Sequence, residues 1–342
     1  MADTSNPPQH QSTQRNLITD VAGLKVGNAH DAQLRSGVTV VLPEAAAVAA
    51  IDVRGGGPGT RESDALALGG AVNEVHGIVL SGGSAFGLSA ATGVQSWLAE
   101  RGIGYRVGAA CVPIVPQAIL FDLLNGGDKA WGASPPYERL ARQACEAAAL
   151  EFEIGTAGAG YGANTATLKG GLGSASACLP DGTCIGAVVA VNAVGSVTVG
   201  DGPQFWAAPF ERGREFGGLG FPSRVPADAL WPPLKGSARE NTTIAIIATD
   251  ATLTRPEARR LAILAQTGLA RAIYPVHTPL DGDVVFALAT GHKPPPAGLH
   301  GLTRLGALAA DVLARAVARG VYEARSFAER TPPCWRDKFG AS

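Results

Sequence analysis

Hydrophobic and polar positions alternate along this chain in two periods, one typical of strands and the other of helices. Short apolar, β-branched runs predict strands at residues 17–28, 37–42, 46–53, 77–80, 184–199, 243–249 and 284–290. Small residues predict a helix that residues 81–88 open and that ends near residue 100, and an Ala-rich stretch predicts a second helix at residues 137–151. Apolar residues at helical spacing predict a helix at residues 258–273, and residues 299–324 are expected to form the last helix. Since the two types follow one another, we expect an α/β fold in which helices cover layered sheets.

The remaining segments predict loops and tails. Residues 1–16 and 326–342 are polar and are expected to be tails, the first of them disordered, which leaves a single domain over residues 17–325. Residues 111–135 are expected to form a loop, and residues 200–240 an exposed linker. Thr254-Arg255-Pro256-Glu257 has the pattern of a capping box with Pro in the first turn of the next helix.

Two hydroxyl residues lie at the start of the predicted strand 243–249, directly after an asparagine. Asn241-Thr242-Thr243 is ordinary by itself, because Asn is common in turns and Thr at strand starts. If the chain is cut between Asn241 and Thr242, however, Thr242 gains an α-amino group with an ordinary pKa of about 7.7–8.0. That amine can act as base for the Thr242 Oγ. Thr242 is therefore the candidate nucleophile.

Two glycine-rich segments predict loops near a site. Residues 54–62 are expected to form a loop in which only Gly allows the necessary backbone freedom, and they lack the Gly-Lys-Ser/Thr ending of a phosphate-binding loop. Gly82, Gly83 and Ser84 belong to the Gly-rich turn that opens a predicted helix. They form either a tight turn or a set of backbone N–H donors for an oxyanion or a carboxylate.

A third glycine-rich segment carries one charge. Gly158, Gly160 and Ala163 fit a loose dinucleotide-binding pattern, with Asp181 roughly 20 residues further on. The amphipathic helix that this pattern requires is replaced by more Gly and Ser, which argues against it. Lys169 lies among these glycines and is either a solvated surface residue or a charge held near a site.

Polar residues also lie within one other predicted strand region and directly before another. Asn192 lies inside an apolar run and is either a turn residue or an amide donor aimed at an oxyanion. Asp281 and Asp283 precede the predicted strand 284–290. They form either a simple turn or a pair of carboxylates that orient an amine and a hydroxyl.

Composition narrows the function classes. The chain is 46% hydrophobic and 17% charged with a net charge of −1, so neither nucleic acid nor an anionic membrane is expected as partner. Residues 77–99 are uncharged over a membrane-sized length, but their Gly and Ser residues predict no membrane span. No metal site and no cofactor are expected. The five cysteines show no C-x-x-C spacing, which predicts reduced thiols in a cytoplasmic protein: Cys111, Cys145, Cys178, Cys184 and Cys334.

Several of these stretches together resemble one family. They are Ile18-Thr19-Asp20-Val21 with Val26-Gly27, Ser36-Gly37-Val38-Thr39-Val40, Arg54-Gly55-Gly56, residues 81–88, residues 158–173 with Lys169-Gly170-Gly171, Asn192, Asn241-Thr242-Thr243 and Asp281-Gly282-Asp283. Over residues 17–325 their number and order are similar to the self-processing L-aminopeptidase/D-amidase-esterase and β-peptidyl aminopeptidase family (peptidase family S58). That family includes the nylon-oligomer (6-aminohexanoate oligomer) hydrolases.

The resemblance implies a four-layer αββα sandwich of the N-terminal-nucleophile-like kind, which ornithine acetyltransferases share. It also implies self-cleavage into chains 1–241 and 242–342, which stay associated and assemble as a homotetramer. By position, it makes Thr242 the nucleophile and Asn192 the oxyanion donor. It makes Asp281 and Asp283 polar partners of Thr242, and it places Lys169 where the nylon-oligomer hydrolase carries a functional lysine.

The chain departs from the aminopeptidase branch of this family. Thr242 replaces a Ser nucleophile, Ala166 and Thr167 lie where a Tyr precedes Lys-Gly-Gly, and Asp281-Gly282-Asp283 replaces a Ser/Glu pairing. These differences favour the nylon-oligomer-hydrolase branch. We therefore expect an N-terminal-threonine amidohydrolase that cleaves linear amides or short peptides, such as 6-aminohexanoate oligomers.

The alternatives cover three other classes of protein. The first is another activity of the same family, namely an exo-aminopeptidase, a β-aminopeptidase, or a D-amidase or esterase. The second is an unprocessed, non-catalytic oligomer. The third is a different enzyme, either a nucleotide-binding oxidoreductase or an acyltransferase.

Overall fold

The structure, a computed structural model, describes residues 14–235, 241–329 and 332–340. Thirteen strands and five α-helices lie within these residues. The strands are β1 (Leu24–Asp31), β2 (Ser36–Pro43), β3 (Ala47–Val53), β4 (Thr60–Arg61), β5 (Glu74–Val75), β6 (Ile78–Ser81), β7 (Tyr105–Val107), β8 (Ala110–Val112), β9 (Gln117–Ile119), β10 (Gly171–Cys178), β11 (Cys184–Asn192), β12 (Thr242–Ala251) and β13 (Val284–Lys293). The helices are α1 (Ala90–Ala99), α2 (Tyr137–Glu146), α3 (Arg255–Ala272), α4 (Gly298–Tyr322) and α5 (Trp335–Phe339).

Two sheets form the centre of the molecule. One has five strands in the order β1-β2-β6-β9-β4, and the other has six in the order β10-β11-β12-β13-β3-β5. Strand β12 pairs antiparallel with β11 and parallel with β13. The start of β12 therefore lies beside the end of β11 and the start of β13, which brings three distant parts of the chain to one edge.

Alternation along β12 separates two hydrophobic cores. Ile244 and Ile246 face the core between the two sheets, whereas Ala245 and Ile247 face the core beneath α3 and α4. Helices α1 and α2 cover the outer face of the five-stranded sheet through a third core. The layers follow the order helix, sheet, sheet, helix, which confirms the expected αββα sandwich.

Helix α3 begins as its sequence predicts. The Thr254 side chain accepts a hydrogen bond from the Glu257 backbone N–H, and the Glu257 carboxylate accepts one from the Thr254 backbone N–H. These two bonds satisfy donors that the first helical turn leaves without a partner. The capping box is confirmed.

Strand β10 lies in a segment that has no strand pattern. Its residues are Gly, Ser and Ala with one Leu and one Cys, yet it is buried and pairs with β11 along its whole length. Helix α4 explains the composition, because a Cβ on Gly173 would lie 1.8 Å from the Ala316 carbonyl oxygen. Close packing of a helix on this strand selects small residues and overrides strand propensity.

Two segments predicted to lie outside the core are packed into it. Phe205 and Phe216 come from the predicted linker, and both are 2% exposed. Trp335 comes from the predicted C-terminal tail, stacks on Phe205 and donates its indole N–H to the Pro203 carbonyl at 2.9 Å. Both predictions fail for these residues because the aromatic side chains contact each other only after the chain folds.

The prediction that all five cysteines are reduced thiols is wrong for two of them. Cys178 and Cys184 lie opposite each other in the β10–β11 hairpin, with their Cα atoms 4.0 Å apart, and they form a disulfide. Cysteine usage therefore no longer argues for a reducing compartment. Cys145 is a free thiol whose pKa is raised by burial to about 12.

None of the helices in the described residues is long and apolar enough to cross a bilayer.

Candidate active site

Strand register brings the candidate nucleophile and the candidate oxyanion donor together. Asn192, the last residue of β11, lies directly opposite Thr242, the first residue of β12. Side chains at directly opposite positions point to the same face, with Cβ atoms roughly 4.5–5.5 Å apart. Thr242 also shares its face with Ile244, which lies between the two sheets. The Thr242 side chain is 5% exposed and Asn192 is 1% exposed.

The carbonyl group of Asn241 lies between two hydrogen-bond donors. The Thr242 Oγ donates to it at 2.5 Å, and the Gly282 backbone N–H donates to the same oxygen at 2.9 Å. A Cβ on Gly282 would lie 2.7 Å from the Thr242 Oγ, so the loop approaches the hydroxyl closely only because residue 282 is Gly. The bond that the sequence predicts to be cut is thus held between its own hydroxyl and a backbone donor.

The two carboxylates anchor the start of β12 and its neighbours. Asp283 accepts the Thr243 backbone N–H at 2.8 Å through Oδ1, and its Oδ2 contacts the His277 ring at 2.9 Å. Asp281 accepts the Val194 N–H at 3.2 Å through Oδ1, and its Oδ2 accepts the Thr278 hydroxyl at 2.7 Å. Burial, aided by the negative charge of Asp283, raises the pKa of Asp281. Both carboxylates lie next to the strand of the candidate nucleophile, but their described contacts are with residues other than Thr242.

The glycine-rich segment that follows β3 packs against the backbone of Asp281 and Asp283. The Arg54 N–H donates to the Asp283 carbonyl at 3.0 Å, and the Gly57 N–H donates to the Asp281 carbonyl at 2.8 Å. A Cβ on Gly55 would lie 2.2 Å from the Asp283 nitrogen. Gly55 is not in the left-handed region, so close approach, and not the backbone freedom that we expected, requires glycine at this position. A Cβ on Gly57 would make only an ordinary contact, 3.8 Å from the Asp281 carbonyl oxygen.

At least three partners from different segments hold the Asn192 amide. Its Oδ1 accepts the Asn164 backbone N–H at 2.9 Å and the Lys235 ammonium at 2.7 Å. Its Nδ2 donates to the Phe121 carbonyl at 3.0 Å. A cavity of about 50 Å³ lies beside the amide, and Asn192, Asn164, Lys235 and Asp122 are among its lining residues. Asn192 is therefore a buried and fully oriented amide, and not a turn residue.

Lys169 is buried among backbone carbonyls. Its Nζ donates to the Ala163 carbonyl at 2.6 Å and to the Gly170 carbonyl at 3.2 Å, and it lies 5.2 Å from the centre of the Phe327 ring. Burial lowers the pKa of Lys169 to about 7, against the opposing effect of the Asp122 charge. Its described contacts do not include Thr242, so the structure connects it to the site through the loop that carries Asn164.

The turn at Gly82, Gly83 and Ser84 has no N–H group open to a ligand. These N–H groups donate to the Gly37 carbonyl at 2.9 Å, the Asp122 carboxylate at 2.8 Å and the Leu120 carbonyl at 2.9 Å, respectively. Gly83 has a φ of +86°, where glycine is favoured. The three N–H groups are therefore already used within the fold, which favours the tight turn over a set of donors for an oxyanion. A substrate contact of the Ser84 side chain stays a prediction.

The loose dinucleotide pattern does not form the predicted binding element. Gly158–Gly160 is one short 3-10 helix, and a Cβ on Gly158 would lie 2.2 Å from the Thr39 Oγ1. The segment leads to strand β10, and not to the long helix whose N-terminus would receive a pyrophosphate. Over the ranges that the structure describes, no group of three or more His, Cys, Asp or Glu side chains is placed to hold a metal ion.

Three groups at this site were missed in the sequence analysis. The Gly282 N–H lies within the Asp-Gly-Asp motif, and a Gly between two carboxylates was its only signal. Lys235 and His277 lie in loops without periodicity, and nothing in the sequence indicates that they contact Asn192 and Asp283. The Lys235–Asn192 contact joins residues 43 positions apart, whereas His277 and Asp283 are 6 positions apart and meet through the conformation of one loop.

Comparison with known proteins gives the family of this chain. The model of peptidase family S58 matches residues 16–332. An uncharacterized aminopeptidase of Mycobacterium tuberculosis is 45% identical over 345 residues, which cover 95% of this chain and 98% of the relative. A 6-aminohexanoate-oligomer endohydrolase of a Kocuria species is 31% identical over 331 residues, which cover 91% of this chain and 87% of the relative.

A solved structure has the same fold. The L-aminopeptidase D-Ala-esterase/amidase of Ochrobactrum anthropi, described as a variant of the Ntn (N-terminal-nucleophile) hydrolase fold, superimposes with a TM-score of 0.66 at 22% identity. The match covers 91% of this chain and 86% of that structure. At this identity the likeness shows the fold, while the family match and the relatives show the class of activity. The chain belongs to peptidase family S58 and is a hydrolase that acts on amide bonds.

Proposed function

We propose that this chain cuts itself between Asn241 and Thr242, and that the exposed Thr242 then hydrolyses linear amides. The observation that carries the proposal is the position of the Asn241 carbonyl, which lies between the Thr242 Oγ and the Gly282 N–H. A nucleophile held against its target and a donor aimed at the developing charge are the two requirements of acyl transfer.

Self-cleavage would proceed as an acyl shift. The Thr242 Oγ attacks the Asn241 carbonyl carbon, and the negative charge develops on the oxygen that accepts the Gly282 N–H. The C–N bond breaks, the Oγ proton passes to the Thr242 nitrogen, and Asn241 becomes an ester on Oγ. Water then hydrolyses this ester and leaves a carboxylate at Asn241 and a free amine at Thr242. The products are chains of 241 and 101 residues.

Substrate hydrolysis would repeat this chemistry on another amide. The Thr242 amine accepts the Oγ proton, Oγ attacks the substrate carbonyl, and the amine product leaves with that proton. Asn192, opposite Thr242, is the proposed side-chain donor to the oxyanion, and loss of one such donor typically costs roughly 10²–10³ in rate. Water then releases the acyl group and restores Thr242.

In this proposal, the other predicted site residues hold the reacting groups in place and do not react themselves. Asp283 fixes the backbone of Thr243, and Asp281 ties the segment after β11 to the loop that carries Gly282. Lys169 holds the carbonyl of Ala163, the residue before Asn164, and Asn164 contacts Asn192. We therefore assign Lys169 to support of the oxyanion donor, and the proton transfer to the Thr242 amine.

The proposed substrates are short linear amides, including 6-aminohexanoate oligomers. The Thr nucleophile and the Asp-Gly-Asp motif support this choice, and a relative with 31% identity carries the corresponding name. Exo-aminopeptidase activity is the second candidate, because relatives with 45% identity are named aminopeptidases. A homotetramer of cleaved protomers and a cytoplasmic location stay predictions.

The test is the intact mass of the purified protein with two variants of Thr242. Wild type and Thr242→Ser should yield two fragments, the shorter beginning at residue 242, whereas Thr242→Ala should yield one uncut chain without amidase activity. Assays with the linear trimer of 6-aminohexanoate and with L-alanine p-nitroanilide separate the two substrate classes. Fragments of the same size from Thr242→Ala would contradict the mechanism.

A further inference from the structure

Lys235 connects the two halves of the candidate site. Its backbone N–H donates to the Val194 carbonyl at 3.1 Å, and its own carbonyl accepts the Asn241 Nδ2 at 3.3 Å. Its Nζ donates to the Asn192 Oδ1 at 2.7 Å and to the Asn164 carbonyl at 2.8 Å. A positive charge therefore touches the amide that the proposed reaction uses, while the backbone of the same residue contacts the side chain at the cut.

These contacts determine the orientation of the Asn192 amide. Its oxygen accepts from Lys235 and Asn164, and its nitrogen donates to the Phe121 carbonyl. If the amide rotated by 180°, its NH₂ group would face two donors and its oxygen would face a carbonyl. Lys235 is the charged member of the three partners, and charge-assisted hydrogen bonds are roughly twice as strong as neutral ones.

The charge of Lys235 also acts on the donor strength of the same amide. An ammonium on the amide oxygen draws electron density away from the amide nitrogen, so its N–H groups become better donors to a negative oxygen. The orientation effect and the polarisation effect have the same direction. Both favour an oxyanion next to the Asn192 Nδ2.

We propose that Lys235 is a positioning residue that holds the Asn192 amide with its NH₂ group directed to the oxyanion, an inference that rests on the proposed function. Lys235 acts through Asn192 and does not touch the reacting atoms. Its loss should therefore lower kcat more than it raises KM, because the oxyanion is stabilised in the transition state.

The first test compares Lys235→Met with Lys25→Met, which removes an exposed lysine of β1. Both variants should be cut normally, as seen by intact mass. With 6-aminohexanoate trimer and L-alanine p-nitroanilide as probes, Lys235→Met should lose about 10- to 100-fold in kcat, the range for a hydrogen bond to a charged group. Lys25→Met should keep wild-type kcat. Unchanged kcat in Lys235→Met would overturn the proposal.

A double-mutant cycle separates positioning from general structural support. In the Asn192→Ala background, Lys235→Met should cost less than about twofold further, because its target is already absent. Independent, multiplying losses would show that Lys235 acts elsewhere and would overturn the proposal. Thermal unfolding of each variant is recorded alongside, and Lys235→Gln replaces Lys235→Met if the latter unfolds.

Chemical rescue uses the cavity beside the lysine. Its volume of about 50 Å³ already exceeds the roughly 10–15 Å³ that one water requires, and Lys235→Ala enlarges it. Methylammonium should restore part of the kcat of Lys235→Ala and leave Asn192→Ala unchanged. Absence of rescue at all concentrations, together with additive losses in the cycle, rejects the proposal. Failure of the proposed function can be told apart from failure of this inference, because in that case the wild-type chain itself stays uncut.

Discussion

At the scale of single residues, short contacts around one carbonyl define the site. Thr242 and Gly282 reach the Asn241 oxygen from two sides, and glycine at 282 permits the approach. The sequence predicted Thr242, Asn192, Asp281 and Asp283 as neighbours, and the structure places all four at one edge of the six-stranded sheet. The backbone donor could not be predicted, because an N–H group leaves no mark in a sequence.

Gly282→Ala should slow self-cleavage. The new Cβ would lie 2.7 Å from the Thr242 Oγ, so either the hydroxyl or the loop must move. A misplacement of about 1 Å at a reacting group can cost roughly 10²-fold in rate. The uncut fraction in a time course of intact-mass spectra measures the effect. Gly69→Ala is the control, because a Cβ there meets no atom within 4 Å, and it should be cut at the wild-type rate.

At the scale of elements, the candidate site lies at the end of β11, the starts of β12 and β13, and one buried loop. The end of β11 meets the start of β12 because these strands are antiparallel, and Asp283, the residue before β13, lies nearby because β13 runs parallel to β12. The loop before β10 holds Lys169 in a cage of carbonyls and thereby supports Asn164. A buried lysine of this kind links the stability of the fold to pH.

Stability of the wild type should increase as pH rises above about 7. The pKa of Lys169 is lowered from its model-peptide value of 10.5 to about 7. Between these values the unfolded chain binds the proton and the folded chain does not, so raising the pH favours the folded state. Below pH 7 both states are protonated and the full cost of burying the charge remains.

The measurement is urea unfolding of wild type and Lys169→Met between pH 6 and 9. The difference in free energy of unfolding between them should change by at most about 1.4 kcal/mol per pH unit above pH 7. Lys25→Met is the control with an exposed lysine on β1, and its curve should run parallel to that of wild type. A Lys169→Met curve that also runs parallel to wild type would contradict the buried, neutral lysine.

At the scale of the whole molecule, the candidate site lies in a fold of four layers and three hydrophobic cores. The C-terminal helix α5 completes one core, although its sequence reads as a tail. Trp335 is 7% exposed and packs on Phe205 with ring centres 6.0 Å apart. Helix α5 is therefore packed into the fold, although residues 326–342 were expected to form a polar tail.

Trp335→Ala should destabilise the fold by about 3–5 kcal/mol, the usual cost of removing a large aromatic side chain from a core. Trp231→Ala provides a matched control, because Trp231 is 87% exposed, and it should change stability by less than about 0.5 kcal/mol. Urea unfolding followed by circular dichroism measures both. Equal effects of the two variants would show that α5 does not belong to the core.

The sequence by itself predicted the class of fold, the family and the start of helix α3, all of which are confirmed, because each depends on local order: periodicity, motif spacing or a four-residue cap. The same local motifs also gave Thr242 as the candidate nucleophile, which stays a prediction. The sequence also contained the Asn-Thr-Thr and Asp-Gly-Asp motifs. Only the tertiary structure decided that Gly82, Gly83 and Ser84 form a closed turn, that Cys178 pairs with Cys184, and that Lys235 contacts Asn192. Those contacts depend on strand register and on the packing of loops from different parts of the chain, and no short segment of the sequence specifies either.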